Sequence, residues 1–193
     1  MNEPAAITRK KTRQIRVGTV PVGGGAPVAV QSMTSTDTRD VKATVAQIAR
    51  LEEAGCEIVR VAVLDEDAAC AIRDIRKEIR MPLIADIHFS HRLAIAAMES
   101  GADAVRVNPG NLGRDRIREV IAAAKACGAS MRIGVNSGSV EKDLLAKYGG
   151  PCAERRVRRR LDSQRGRSAR STLRHDSVGR QAHQELERYL AAE

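Results

Sequence analysis

Three observations predict an α/β protein built on a parallel sheet. Apolar, strand-like runs alternate with segments of helical period along most of the chain. The junctions between them repeat: Gly55-Cys-Glu-Ile-Val-Arg60, Gly101-Ala-Asp-Ala-Val-Arg106 and Gly128-Ala-Ser-Met-Arg132 each close a helix on glycine and open a strand that carries an arginine. The strands also end in polar groups, most clearly in residues 81–111, where Asp86 and His88 close one strand and Arg106 and Asn108 the next. Alternation of β and α implies parallel strands joined by right-handed crossovers. Buried strands that turn polar only at their carboxyl ends are what a (β/α) barrel builds its site from. Five such units are visible where a (β/α)8 TIM barrel has eight, and 193 residues fall short of the about 250 typical of that fold. The expected fold is therefore an incomplete (β/α)8 TIM barrel of about five βα units. A doubly wound open sheet also accommodates five strands, but it normally shows a glycine-rich fingerprint after its first strand.

Taken in order, residues 1–16 are polar and basic and read as a solvated segment. Val17 to Gly25, with Gly23-Gly24-Gly25, reads as a hairpin turn on its turn chemistry; no phosphate-loop pattern G-x-x-x-x-G-K-[ST] is present. Pro27 to Met33 is the first barrel strand and ends in Gln31 and Ser32. Asp40 is placed to cap a helix that carries Val41, Val45, Ile48 and Leu51 on one side and ends at Gly55. Glu57 to Val63 is the second strand, followed by a helix with Ala68, Ile72, Ile75 and Ile79 on one face. A third strand runs through Pro82-Leu83-Ile84-Ala85 to His88, with His91 opening the helix that Gly101 ends. A fourth strand follows through Arg106. The next helix carries Ile117, Val120, Ile121 and Ala124, and Met131 to Asn136 is the fifth strand. A short helix through Leu144 and Leu145 is expected after Ser139.

The net charge of +9 is unevenly spread. Residues 1–152 hold 22 Lys and Arg against 18 Asp and Glu, and residues 153–193 hold 11 Arg, no Lys and 6 acids. The apolar pattern stops after Tyr148-Gly149-Gly150-Pro151, and residues 155–180 hold ten Arg and two acids. High charge with low hydrophobicity argues for disorder. The expected organisation is a partial barrel over residues 1–151 and a basic tail over 152–193. No apolar run is long enough to span a bilayer, no signal-peptide pattern opens the chain, and Cys56, Cys70, Cys127 and Cys152 lack a pairing or Cys-x-x-Cys spacing. A soluble, cytoplasmic protein with reduced thiols and no membrane association is expected.

Side chains two apart on a strand share a face. This places Arg60, Arg106 and Arg132, on three strands set side by side, with Asp86, His88, Asn108 and Asn136. Three arginines against one inward carboxylate leave positive charge that an anion would offset, and guanidinium forks suit phosphate oxygens. The pocket reads as a site for a small diphosphate. Asp86 and His88 suit hydrogen bonding to substrate and proton handling; without a third ligand they are weak metal candidates.

The runs PVAVQSMTSTDT, IVRVAV, PLIADIHF, VRVNPGN and MRIGVNSGSVEKDLLAKYGGP resemble the 4-hydroxy-3-methylbut-2-enyl diphosphate synthases, iron–sulfur enzymes of the methylerythritol phosphate route to isoprenoids. The resemblance covers roughly residues 8–151. It implies a barrel that binds 2-C-methylerythritol 2,4-cyclodiphosphate and a later domain carrying a [4Fe-4S] cluster on three Cys and one Glu. It further implies reductive ring opening with electrons from ferredoxin or flavodoxin, and a homodimer at full length. Residue by residue, it makes Arg60, Arg106, Arg132 and Asn136 diphosphate ligands, with Gln31 and Asn108 among the substrate-binding groups. Asp86 and His88 become the catalytic groups beside the reacting carbons.

The chain departs from that family after Pro151, where neither the remaining strands nor the cluster domain is visible. The four cysteines match no cluster motif, so the chain alone is expected to lack redox activity and to hold no metal. Residues 173–187, LRHDSVGRQAHQELE, can be back-translated and read one base later as FDTIQLAVKLTKSS, similar to the family's next strand. A frameshift near Pro151–Cys152 is the corresponding expectation. Two other readings stay open: a non-redox phosphate-binding barrel of pterin- or aldol-synthase type, and nucleic-acid binding through the basic tail.

Overall fold

The computed structural model describes residues 11–112 and 114–134. Strand β1 (Ile15–Val17) pairs antiparallel with β2 (Val20–Val22). Five further strands, β3 (Gln31–Met33), β4 (Ile58–Val63), β5 (Leu83–Ile87), β6 (Ala104–Val107) and β7 (Ser130–Ile133), form one parallel sheet in the order β3-β4-β5-β6-β7. Between them run α1 (Val41–Glu53), α2 (Glu66–Glu78), α3 (His91–Glu99), a single turn α4 (Pro109–Leu112) and α5 (Arg114–Cys127). Each strand lies beside its predecessor. A doubly wound sheet reverses its strand order at a switch point; a barrel keeps it, and this sheet keeps it.

The two faces of the sheet are built differently. Val59, Val61 and Val63 of β4, Leu83, Ala85 and Ile87 of β5, and Val105 and Val107 of β6 are almost completely buried. They pack with Ile48, Ile72, Ile75, Ala97, Met98 and Val120 from the helices. Each such Val, Ile or Leu contributes about 1.5–3 kcal/mol relative to exposure, so this outer layer supplies most of the cohesion. The opposite face carries a second, smaller apolar cluster of Ile58, Ile84 and Ala104, closed by Val17 with Val20, Val22 and Ala29 packed around it. The hairpin therefore stoppers the amino-terminal end of the inner face. Its turn is at Gly18-Thr19 rather than at the three glycines, which follow β2. Gly18 has φ +55°, and a Cβ there would stand 2.8 Å from Asp103 Oδ1 and 3.0 Å from Pro82 Cβ, so only glycine lets the turn seat against the starts of β5 and β6. The Ser130 hydroxyl donates to the Arg16 carbonyl and ties the hairpin to β7.

Helix ends explain the repeated junctions. Asp40 caps α1 by accepting from the Ala43 amide at 3.0 Å, and Asp65 caps α2 by accepting from Ala68 at 2.8 Å. Helices α1, α3 and α5 close alike, with Cys56 N–H donating to Leu51 O, Ala102 to Ala97 O and Ala129 to Ala124 O at 2.9–3.0 Å. The intervening Gly55, Gly101 and Gly128 all have positive φ, which is the Schellman closure. These three closures lead into β4, β6 and β7, the strands of the parallel sheet that carry arginine. Helix α2 ends without glycine, in extended Ile79, and leads into β5, the strand that carries Asp86.

The first barrel strand is shorter than the apolar run Pro27 to Met33 predicts. Val28 and Val30 are 77 % and 54 % exposed. The Val30 amide donates to the Glu57 carboxylate at 2.8 Å instead of joining a ladder, so β3 begins only at Gln31. The fifth strand begins at Ser130 and ends at Ile133. The short helix after Ser139 and the tail over 152–193 lie outside the described residues.

Candidate functional site

Alternation on β4 to β7 turns Arg60, Asp86, Arg106 and Arg132 away from the helices, next to the small inner cluster. The register pairs Asp86 with Arg106 and Arg106 with Arg132, so these three lie in one row across the sheet. Arg60 is one step lower, opposite Ile84, in the middle of β4 rather than at its end. It is also not beside the other arginines: β5 lies between β4 and β6. The three arginine strands are therefore not contiguous, and the strand that separates them supplies the carboxylate.

Asp86 is 3 % exposed, a burial that a carboxylate sustains only when paired. Its Oδ1 meets Arg106 Nη1 at 3.1 Å and its Oδ2 meets Arg60 Nε at 3.3 Å. His88, at the carboxyl end of β5, holds Nε2 3.9 Å from Asp86 Oδ2. The His88 ring lies 6.0 Å from that of Phe89, and its carbonyl accepts from Asn111 Nδ2 at 3.0 Å. Asn108, the next inward position after Arg106, is 2 % exposed.

Arg132 is held differently. Its Nη1 donates to the neutral Gln31 Oε1 at 2.9 Å. Burial, and then the charges of Arg60 and Arg106, lower the pKa of Arg132, with Asp86 pulling the other way. An arginine stays protonated through such a shift, so the shift describes a partly desolvated cation beside two others. Among the described residues, one carboxylate pairs with two of the three guanidinium groups here.

The structure thus brings Arg60, Asp86, His88, Arg106, Arg132 and Gln31 together on one face, and Asn108, two residues after Arg106, is buried. Asn136 lies outside the described residues. Two contributors carry no charge to betray them. Met33 Sδ contacts Arg60 Nε at 3.2 Å; its place two residues after Gln31 on β3 is the only signal. Gly134, two residues after Arg132, lies under the Arg106 side chain: a Cβ there would overlap Arg106 Nε and stand 2.8 Å from its Cζ.

A cluster or metal has no fitting donor set among the described residues, where no three His, Cys, Asp or Glu side chains lie together. Cys56 is buried and its thiol donates to the Ile58 carbonyl at 3.1 Å, whereas Cys70 and Cys127 are exposed on separate helices. Cys152 lies outside the described residues. No helix among those described is long and apolar enough to cross a membrane.

The sequence profile of the GcpE TIM-barrel domain matches residues 12–169. The 4-hydroxy-3-methylbut-2-en-1-yl diphosphate synthase (flavodoxin) of Nitratidesulfovibrio vulgaris is 61 % identical over 155 residues, covering 80 % of this chain and 40 % of that protein. The synthase of the same name from Desulfotalea psychrophila is 62 % identical over 149 residues, covering 77 % and 41 %. The chain thus spans about two fifths of the length of these curated relatives. Among solved structures, a mandelate oxidase with benzoyl-formic acid aligns at a TM-score of 0.44 and 16 % identity over 70 % of this chain and 66 % of that one, too distant to bear on the site. On the span of the profile match, which takes in every described strand and helix, the chain belongs to the GcpE TIM-barrel domain family.

Proposed function

We propose that this chain is the substrate-binding barrel portion of a 4-hydroxy-3-methylbut-2-en-1-yl diphosphate synthase and holds 2-C-methylerythritol 2,4-cyclodiphosphate by its diphosphate. The observation that carries the reading is the surplus of guanidinium over carboxylate on the inner face, at Arg60, Arg106 and Arg132 against Asp86. Planar forks bind phosphate oxygens two at a time, and three of them match two phosphates. Arg106 and Arg132, paired across β6 and β7, take the diphosphate with Arg60 and Asn136. Gln31 orients Arg132, and Asn108 faces the same ligand. Asp86 and His88 lie beside the reacting carbons, where they orient hydroxyl groups and handle protons.

The whole enzyme's reaction, reductive ring opening with electrons from flavodoxin or ferredoxin, needs a [4Fe-4S] cluster that the described cysteines do not fit. The cluster would pass those electrons to the substrate; the residues described here bind, orient and neutralise. We further propose a cytoplasmic setting, supported by the free thiols Cys56, Cys70 and Cys127. Residues 1–151 are proposed as a partial barrel and 152–193 as a tail read out of frame; sequencing the gene across codons 145–160 tests this, and an intact frame throughout contradicts it. Titration calorimetry tests the binding function. The cyclodiphosphate is expected to bind more tightly than simple phosphate monoesters, and equal affinity for all of them favours a non-redox phosphate-binding barrel instead.

A further inference from the structure

We propose that Asp86 is a resident counter-ion that occupies the forks of Arg60 and Arg106 in place of a ligand phosphate, lowering the affinity of the site for free anions and favouring ligands that bring two phosphates. The inference rests on the diphosphate-binding reading above and adds to it a residue that limits binding.

Its basis is the unequal treatment of the three arginines. Asp86 spends one oxygen on Arg60 at 3.3 Å and the other on Arg106 at 3.1 Å, and it does so nearly out of contact with water. Arg132, on the next strand, receives only an amide oxygen among the described residues. Among the described residues an incoming phosphate therefore finds no carboxylate paired with Arg132, while Arg60 and Arg106 each already hold one carboxylate oxygen. Access to those two forks requires displacing or sharing Asp86, against a like charge a few ångströms away. A single phosphate gains Arg132 and is opposed by Asp86. A diphosphate places its second group where it can compete for Arg106, and its greater charge offsets the opposition. A counter-ion of this kind also stabilises the empty pocket, since two partly buried guanidinium groups without it would repel each other and Arg132.

The test uses the whole 193-residue chain with inorganic pyrophosphate and orthophosphate as probes, comparing wild type with Asp86→Asn. The neutral amide keeps the volume and removes the charge. Calorimetry at low ionic strength is expected to show pyrophosphate binding about tenfold more tightly to D86N than to wild type. The ratio of pyrophosphate to orthophosphate affinity should fall. Pyrophosphate should also raise the melting temperature of D86N by more than that of wild type. The charge-balanced D86N/R106Q variant should recover wild-type thermal stability and bind no more tightly than wild type. A purely structural Asp86 would weaken both probes together. If wild type binds pyrophosphate and folded D86N binds it equally or less tightly, the counter-ion inference is overturned while the anion site stands. The inference is equally overturned if D86N stays unfolded in saturating pyrophosphate, because an anion then cannot replace the carboxylate. If neither protein binds, the diphosphate reading falls and takes the inference with it. Binding by D86N alone supports the inference in its strongest form.

Discussion

Gln31 and Arg132 stand on the two edge strands of the five-stranded sheet, yet Arg132 Nη1 donates to Gln31 Oε1 at 2.9 Å. Four strand gaps of about 4.8 Å would hold the edges of a flat sheet roughly 19 Å apart, beyond the joint reach of these side chains. The sheet is therefore strongly curled toward its inner face, as barrel strands are. The same curl gathers Arg60, Asp86 and Arg106 over the small inner cluster of Ile58, Ile84 and Ala104.

Removing this bridge frees Arg132 from its orientation. Gln31→Ala is expected to weaken pyrophosphate binding by about threefold to tenfold, the scale of a hydrogen bond to a charged group. Gln31→Glu is expected to weaken it further, because a second carboxylate would compensate Arg132 as Asp86 compensates its neighbours. Calorimetry on the two variants checks the order, and tighter binding by the Glu variant contradicts it.

Gly134 is the floor under Arg106. In Gly134→Ala the added methyl would overlap the guanidinium, forcing Arg106 to lift or β7 to shift. The expected outcome is at least a tenfold loss of pyrophosphate affinity with a stability cost of about 1–3 kcal/mol, typical of overpacking. Urea unfolding alongside calorimetry separates the two effects. Unchanged affinity would show that the path of Arg106 over Gly134 is irrelevant to the site.

How much of this was legible in the sequence depended on whether a feature is local. IVRVAV announces its strand because Val59, Val61 and Val63 alternate with residues of the other face, and the outward valines are the buried ones. The glycine junctions are equally local, since a Schellman closure involves only the last turn of a helix. Parity alone also grouped Asp86 with Arg60 and Arg106. Parity does not give strand order in space, and so does not show that β5 separates β4 from β6. Curvature was also hidden, so Gln31 could be named as a pocket residue without its partner Arg132 being visible. Gly134 and Met33 act through the absence of a side chain and through a soft sulfur, and neither leaves a charge pattern. Strand β3 was overestimated because Val28 and Val30 read as core but lie exposed at an edge.

The glycine closures make a separate stability prediction. Gly101 has φ +100°, and a Cβ there meets only Arg76 Cγ at 3.6 Å. The cost of Gly101→Ala is therefore conformational rather than steric, about 1–2 kcal/mol. Ile72→Ala, in the outer core and fully buried, is expected to cost about 2–5 kcal/mol. Chemical denaturation of both variants checks the ranking; a Gly101→Ala cost above that of Ile72→Ala contradicts the division of cohesion between the two faces.

Cluster reconstitution examines the division of labour proposed for the whole enzyme. Cys56 is buried just before β4, and Cys70 and Cys127 lie on separate helices. The purified chain, treated with iron and sulfide under reducing conditions, is expected to show no stoichiometric [4Fe-4S] absorption. A stoichiometric spectrum would mean that ligands come together within this chain after all.

The most direct measurement is a side-chain NMR titration of the arginine Nε–H signals with 2-C-methylerythritol 2,4-cyclodiphosphate. The signals of Arg60, Arg106 and Arg132 are expected to shift together and saturate at one equivalent, while those of surface arginines such as Arg39 and Arg73 stay in place. Saturating shifts confined to other arginines, or none at the three, would contradict the assignment of this pocket as the diphosphate site.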